Sequence, residues 1–304
     1  MPAAGWATID SRAPSPVLPR LTPILFVALW SSAFVATRAG LAGVSPLAFL
    51  TARFALAAVV LAALAAVLHT DWAALSGVWP YLAVSGVLIN ALYLSGAYIA
   101  LDHINAATMA LIGALHPLIT AVLAWFMLGE RLRPLQQLGF VLGIGGVVLV
   151  VGPRVSGPGD LLGPLAGLLG VCSLAFGTVH YRKYCRGVPL RITNTVQLAT
   201  AAATCAALTL ATEDVVWTWN GTTLASLLYL ALAVSLGAPV LLMLMLRHGE
   251  AGKVASNFYL TPGITAAMGW AFLGEALPPM ALVGLAMASL GVWLAYRGGR
   301  DRGR

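Results

Sequence analysis

The sequence predicts an all-α polytopic membrane protein of ten transmembrane helices, arranged as two inverted five-helix repeats. Three observations predict it. Of 304 residues, 60% are apolar and only 9% charged, with a mean hydropathy of +0.90, too little polar surface to coat a water-soluble globule. One stretch occurs twice: Leu115-His-Pro-Leu-Ile-Thr-Ala, Trp125 and Leu128-Gly-Glu-Arg-Leu-Arg-Pro134 return 145 positions later (260 − 115) as Leu260-Thr-Pro-Gly-Ile-Thr-Ala, Trp270 and Leu273-Gly-Glu-Ala-Leu-Pro-Pro279. From Leu115 to Leu149 against Leu260 to Leu294, about 15 of 35 positions are identical, the mark of a duplicated unit. Third, the basic residues gather on alternate connections, as the positive-inside bias requires.

A helix needs roughly 20 apolar residues to cross the hydrocarbon, and charges, prolines and glycines cut the chain into ten such runs. Leu21 to Ala39 starts after Pro19-Arg20 and stops at Gly40. Pro46 to Leu68 opens on its own proline, and Val78 to Ala100 stops short of Asp102-His103. Ala106 to Leu128 ends at Gly129, and Leu135 to Val151 lies between Pro134 and Gly152-Pro153. Leu161 to Tyr181 is bounded by Asp160 and Arg182-Lys183, Ile192 to Ala211 by Arg191 and Glu213. Leu224 to Leu246 follows Glu213-Asp214 and meets Arg247, Val254 to Leu273 runs from Lys253 to Gly274, and Met280 to Tyr296 from Pro279 to Arg297. Residues 1–20 form an N-terminal tail, 21–153 the first repeat, 154–296 the second, and 297–304 a basic C-terminal tail.

Five spans are an odd number, so the second repeat enters the membrane upside down. Gly129-Glu-Arg-Leu-Arg-Pro134 carries two arginines and its twin Gly274-Glu-Ala-Leu-Pro-Pro279 none, which inversion under the positive-inside rule predicts. In both, glycine supplies the left-handed residue that ends a helix and proline opens the next. Glu130 and Glu275 are expected to bond backbone amides there; the other reading is a proton relay at the membrane edge.

With the N-terminus inside, inner segments hold Arg12, Arg20, Arg131, Arg133, Arg182, Lys183, Arg186, Arg191, Arg247, Arg297, Arg300, Arg302 and Arg304, and outer ones only Arg38 and Arg154. Both termini are therefore expected on the cytoplasmic side. The net charge of +7 is spread along these edges and not clustered on one wet face, so no nucleic acid is expected as partner. Pro14, Pro16 and Pro19 precede the first span without an apolar core and cleavage site, predicting a retained tail. Cys172, Cys185 and Cys205 give no disulfide framework.

Catalysis finds no support. Gly252-Lys253 is followed by Val254 and lacks the upstream glycine of a nucleotide loop, and no His-Glu-x-x-His pair or serine–histidine couple occurs. No enzyme, cofactor or metal is expected. Asp102, Glu130, Glu213, Glu250 and Glu275 all fall at or beyond helix ends, whereas a multidrug cation–proton exchanger needs a buried carboxylate.

Pro117 and Pro262 lie near the middles of the fourth and ninth runs. Each frees a carbonyl four residues earlier, at Gly113 and Phe258, and the pair predicts matched kinks, a cavity and gating. Trp30, Asn90, Tyr93, His116, Thr120, Asn257, Tyr259, Thr261 and Thr265 put polar or aromatic groups near that depth. The first eight without Thr265 are the candidate substrate-binding set; the alternative is that such groups bond helix to helix. His116 can both donate and accept a hydrogen bond, in a cavity or between helices. Arg53, about two turns into the second run, would cost up to roughly 3 kcal/mol at full depth; it either snorkels outward or faces a pore.

These residues carry a family resemblance. From Leu21 to Tyr296 the chain resembles the ten-helix, EamA-type members of the drug/metabolite transporter superfamily, through Trp30-Ser-Ser-Ala-Phe34 with Arg38, Pro46 with Arg53, the Pro117 to Pro134 signature and its echo at Pro262 to Pro279. The first motif recurs weakly as Cys172-Ser-Leu-Ala-Phe176, with Cys172 where the family has tryptophan. The resemblance implies an inner-membrane carrier working by alternating access, commonly outward, with a cavity lined by the first, third, fourth, sixth, eighth and ninth spans. Among the branches, the chain is most similar in general character to aromatic amino-acid exporters of the YddG type. The expected function is a secondary transporter exporting small metabolites, amino acids above all. A proton-coupled exporter of drugs or toxic compounds is the alternative, and a membrane-embedded enzyme or assembly factor the remote one. The expected partners are a small-molecule substrate and the bilayer, for a monomer or weak homodimer.

Overall fold

A computed structural model describes residues 18–70, 72–130, 133–152, 157–185, 187–241, 251–276 and 279–300; at 18–20, 158, 251–259, 281, 295, 296 and 298–300 only the backbone is described. In hydrocarbon every backbone N–H and C=O needs an internal partner, which only helices or closed barrels provide. Helices follow: α1 (Leu18–Gly40), α2 (Pro46–Val67), α3 (Trp79–His103), α4 (Ala106–Leu128), α5 (Pro134–Val151), α6 (Leu162–Tyr184), α7 (Leu190–Thr212), α8 (Gly221–Leu241), α9 (Ala251–Leu273) and α10 (Pro279–Arg300). The first eight are long and apolar enough to cross a membrane; α9 and α10 contribute the shorter apolar stretches Leu260–Leu273 and Leu282–Leu294. The outer surface suits lipid, with Leu210 85% and Phe272 76% exposed.

Local chemistry sets the ends. Asn105 and Asn220 cap α4 and α8 by accepting from Thr108 N (2.9 Å) and Thr223 N (2.8 Å). Gly129 (φ 68°) and Gly274 (φ 64°) are left-handed, and Pro134 and Pro279 open the helices that follow. The described ends of both hairpins thus have the expected geometry. Their glutamates act at longer range. Glu275 accepts from Ala106 N, at 3.0 and 3.2 Å, and so caps α4 and not its own hairpin, while Glu130 pairs with Arg182 of α6 at 2.8 Å.

The halves pack as inverted images. The equivalent helices α2 and α7 run antiparallel, with Thr51 Oγ1 3.1 Å from Thr209 Oγ1 and Glu213, just past the end of α7, accepting from Leu47 N (2.9 Å) and Ala48 N (3.0 Å) at the start of α2. The equivalents α5 and α10 are also antiparallel. Gly146 lies against Gly284, and Gly139 and Gly143 against Gly291, so closely that a Cβ on Gly291 would sit 2.5 Å from the Gly139 carbonyl oxygen. α1 packs on α9 and, as its image, α6 on α4.

One end of the bundle is the tail end, where α1 begins. At the far end the loop after α1 pairs with the loop after α7 in a short antiparallel bridge, Val44 opposite Trp217. Ser45 N donates to Val216 O and Thr218 N to Gly43 O, both at 3.0 Å, and the Trp217 ring stacks on Phe49.

Candidate functional site

Two helices depart from α geometry, and at the same place in each repeat. Val87–Leu92 within α3 and Tyr229–Gly237 within α8 are π-helical, a widened turn common at functional sites. Asn90 lies in one and Ser235 in the other, 145 positions apart (235 − 90), the offset of the sequence repeat. No proline lies near the first turn, whereas Pro239 follows the second by two residues.

They face a cavity of about 160 Å3. Ile89, Asn90, Tyr93 and Leu94 line it from α3, and the positions 145 further on, Val234, Ser235, Ala238 and Pro239, line it from α8. Trp30, Phe34 and Thr37 of α1, Arg53 and Phe54 of α2, Tyr98 of α3, Leu174 of α6 and Leu198 of α7 contribute to the rest of the wall. Asn90 lies about half-way along α3, roughly 16 Å from its first residue at 1.5 Å per residue, the depth expected of a transporter site.

Arg53 is 5% exposed and points into this space. Its Nε donates to Ser235 Oγ at 3.1 Å and its Nη1 to Tyr98 OH at 2.8 Å, so it joins the first half to the second. The Phe54 and Tyr98 ring centroids are each 5.9 Å from its guanidinium carbon. Of the two sequence readings of Arg53, the inward one describes the molecule. Ser235 in turn donates to Leu230 O, five residues back, at 3.0 Å. Asn90 Nδ2 reaches Gln197 Oε1 at 3.5 Å.

Trp30, Asn90 and Tyr93 of the candidate set therefore share one cavity. His116, Thr120 and Thr261 lie elsewhere. His116 Nε2 contacts Thr178 Oγ1 of α6 at 3.2 Å, and Thr261 O accepts from Ser31 Oγ of α1 at 3.4 Å. The hydroxyls of Thr120 and Thr261 are buried with no hydrogen-bond partner among the described residues. The side chains of Asn257 and Tyr259 lie outside the described residues. The prolines differ: α4 breaks over Ala114 and Leu115 just before Pro117, whereas Pro262 sits inside a continuous α9. Among the described residues, α4 and α9 give no side chain to this cavity; α2 and α7 take part instead.

A ten-helix bundle built from inverted halves around a shared internal cavity is one part of an assignment, and sequence comparison supplies the other. The EamA-like transporter family model matches twice, over residues 21–152 and 161–297. This chain belongs to the EamA-like transporter family. A Bacillus subtilis strain 168 transporter named YvbV is 26% identical over 266 residues, 85% of each chain. A protein of Streptantibioticus cattleyicolor named a probable terminal-alkyne amino-acid exporter is 29% identical over 284 residues, 90% of this chain and 92% of that one. A crystal structure with TM-score 0.66 and 23% identity covers 94% of this chain and 98% of its own, a likeness of fold. As an EamA-like transporter the protein is an integral membrane protein that binds a small-molecule substrate within the membrane. Ser235, Tyr98 and Leu198 were not singled out from sequence. Adding 145 to Asn90 and Arg53 would have found Ser235 and Leu198.

Proposed function

We propose that this chain is a secondary transporter exporting amino acids, neutral and aromatic ones foremost, across a bacterial inner membrane, with both termini cytoplasmic. The observation that carries the reading is the cavity lined by matching positions of both halves. Its neutral hydrogen-bonding groups beside apolar and aromatic walls suit a zwitterion with an apolar side chain. At about 160 Å3 it falls below the ~300 Å3 at which drug-sized pockets begin, which favours small metabolites over bulky drugs. No carboxylate stands among the described lining residues, which disfavours cation–proton exchange. The Streptantibioticus relative's name points the same way.

Transport proceeds by rocking of the two halves about the cavity. Substrate enters from the cytoplasm while the bridge of Val44 with Trp217 keeps the far end shut, and release outward requires that bridge to part. No covalent step is involved, so the chain is a carrier and not an enzyme. The cavity lies within one chain, so a monomer or weak homodimer suffices.

Counterflow in liposomes tests this, with labelled amino acids, nucleosides and cationic dyes, with and without a pH gradient. Amino acids are expected to exchange with little response to the gradient. Strict proton dependence with dye flux would transfer the assignment to drug export, and no flux of any solute would refute the carrier.

A further inference from the structure

A buried guanidinium is best served by a carboxylate, and Arg53 has none among the described residues: its neighbours are neutral hydroxyls and the Phe54 and Tyr98 rings. Two of the five N–H bonds of a guanidinium are used, by Ser235 and Tyr98, both neutral acceptors; three remain. The second half carries no charge at the equivalent position. The matching position of the second half, 145 residues on, is Leu198 (198 − 53), and it lines the same cavity. An apolar side chain thus suffices at the equivalent place in the second half, and the three remaining N–H groups of Arg53 are available for a ligand. An intramembrane charge facing a cavity marks a substrate path, and a guanidinium presents its free N–H groups in the fork that matches a carboxylate.

Resting on the transport reading above, we infer that Arg53 receives the carboxylate of the transported molecule and that a free carboxylate is the feature this site selects. An ammonium group is met only by neutral acceptors such as Asn90 and Tyr93, because no acidic side chain is among the described lining residues. The carboxylate is thus the required group and the ammonium the dispensable one. Binding also competes for the guanidinium with Ser235 on α8 and Tyr98 on α3. Occupancy of the site is thereby linked to the tie between the two halves.

The test uses the unmodified protein in detergent and in liposomes. The probes are the standard amino acids, their amides, and the 2-oxo acids that match them in side chain. Amino acids and 2-oxo acids are expected to raise the melting temperature and to compete in counterflow, with amides weaker by on the order of tenfold or more, the range for a lost hydrogen bond to a charged group. Amides that bind and exchange as well as the parent acids would overturn the inference and leave the amino-acid carrier standing. Absence of flux for every probe would instead refute the transport reading, and the inference with it. Arg53→Gln is expected to bring acids and amides to within about twofold of one another, and Arg53→Lys to restore part of the preference. Should either variant fail to fold, the ligand series on the unmodified protein decides alone.

Discussion

Replacing Gly291 by alanine puts one methyl group where α5 and α10 touch backbone to backbone. The added Cβ would lie 2.5 Å from Gly139 O and 2.8 Å from Gly143 N, and ordinary contact begins at 3.4 Å. The helices must then part by up to 0.9 Å (3.4 − 2.5), because neither neighbour is a side chain that can change rotamer. A gap of 0.5–1 Å forfeits about a quarter to a half of each contact's dispersion energy along the seam, and overpacking of this kind typically costs ~1–3 kcal/mol. The control is Gly263→Ala on the exposed face of α9, where an added Cβ meets nothing within 4 Å. In a helix that change should be neutral or stabilise by roughly 0.5–1 kcal/mol. Denaturant-driven unfolding in detergent, followed by fluorescence, reads both variants at equal expression. An unchanged midpoint for Gly291→Ala would refute the backbone contact, and with it the antiparallel seam between equivalent helices.

Glu213→Gln removes the negative charge that holds two amides at the start of α2; a loss of about 1–2 kcal/mol is expected, seen as a lower melting temperature, and an unchanged one would mean that water serves the amides equally well. Thr120→Val and Thr261→Val exchange buried hydroxyls that lack a partner among the described residues for a methyl group of like shape, so stability should hold or rise. Flux in both threonine variants should stay within about twofold of the parent, since a hydroxyl remote from substrate adds nothing to binding; a tenfold fall would extend the substrate path to α4 and α9.

The sequence reading located the described helix ends to within a few residues, the end of the eighth run at Leu246 lying outside the described residues, because a bilayer punishes charge and free backbone groups at known depths. Ala106 to Leu128 agrees at both ends, and the left-handed Gly129 and Gly274 follow from their places before Glu and Pro. The direction of Arg53 was not legible. Its spacing alone is compatible with lipid headgroups or with the interior, and only the packing of α2 against α3 and α8 decides. The widened turn in α3 was not legible either, since Val-Leu-Ile-Asn-Ala-Leu reads as an ordinary membrane helix, and Pro239, two residues past the turn in α8, was not used as a signal. Proline drew attention to α4 and α9 because it is the one kink signal that a side chain carries. Glutamates at hairpins proved to reach across the bundle, to Ala106 and Arg182, a matter of tertiary neighbours.

The loosened coils in α3 and α8 also fix which way everything after them looks. Each residue of an α-helix advances the side chain by about 100°, so a turn that takes in one extra residue swings the remainder of the rod by that angle. Tyr93 and Tyr98 follow the first such coil, and Ala238 and Pro239 the second. Excising a single residue there would keep the composition and length of a membrane span almost intact while aiming these groups at a different neighbour. The hollow thus depends on a counting irregularity in two helices as much as on the chemistry of its walls.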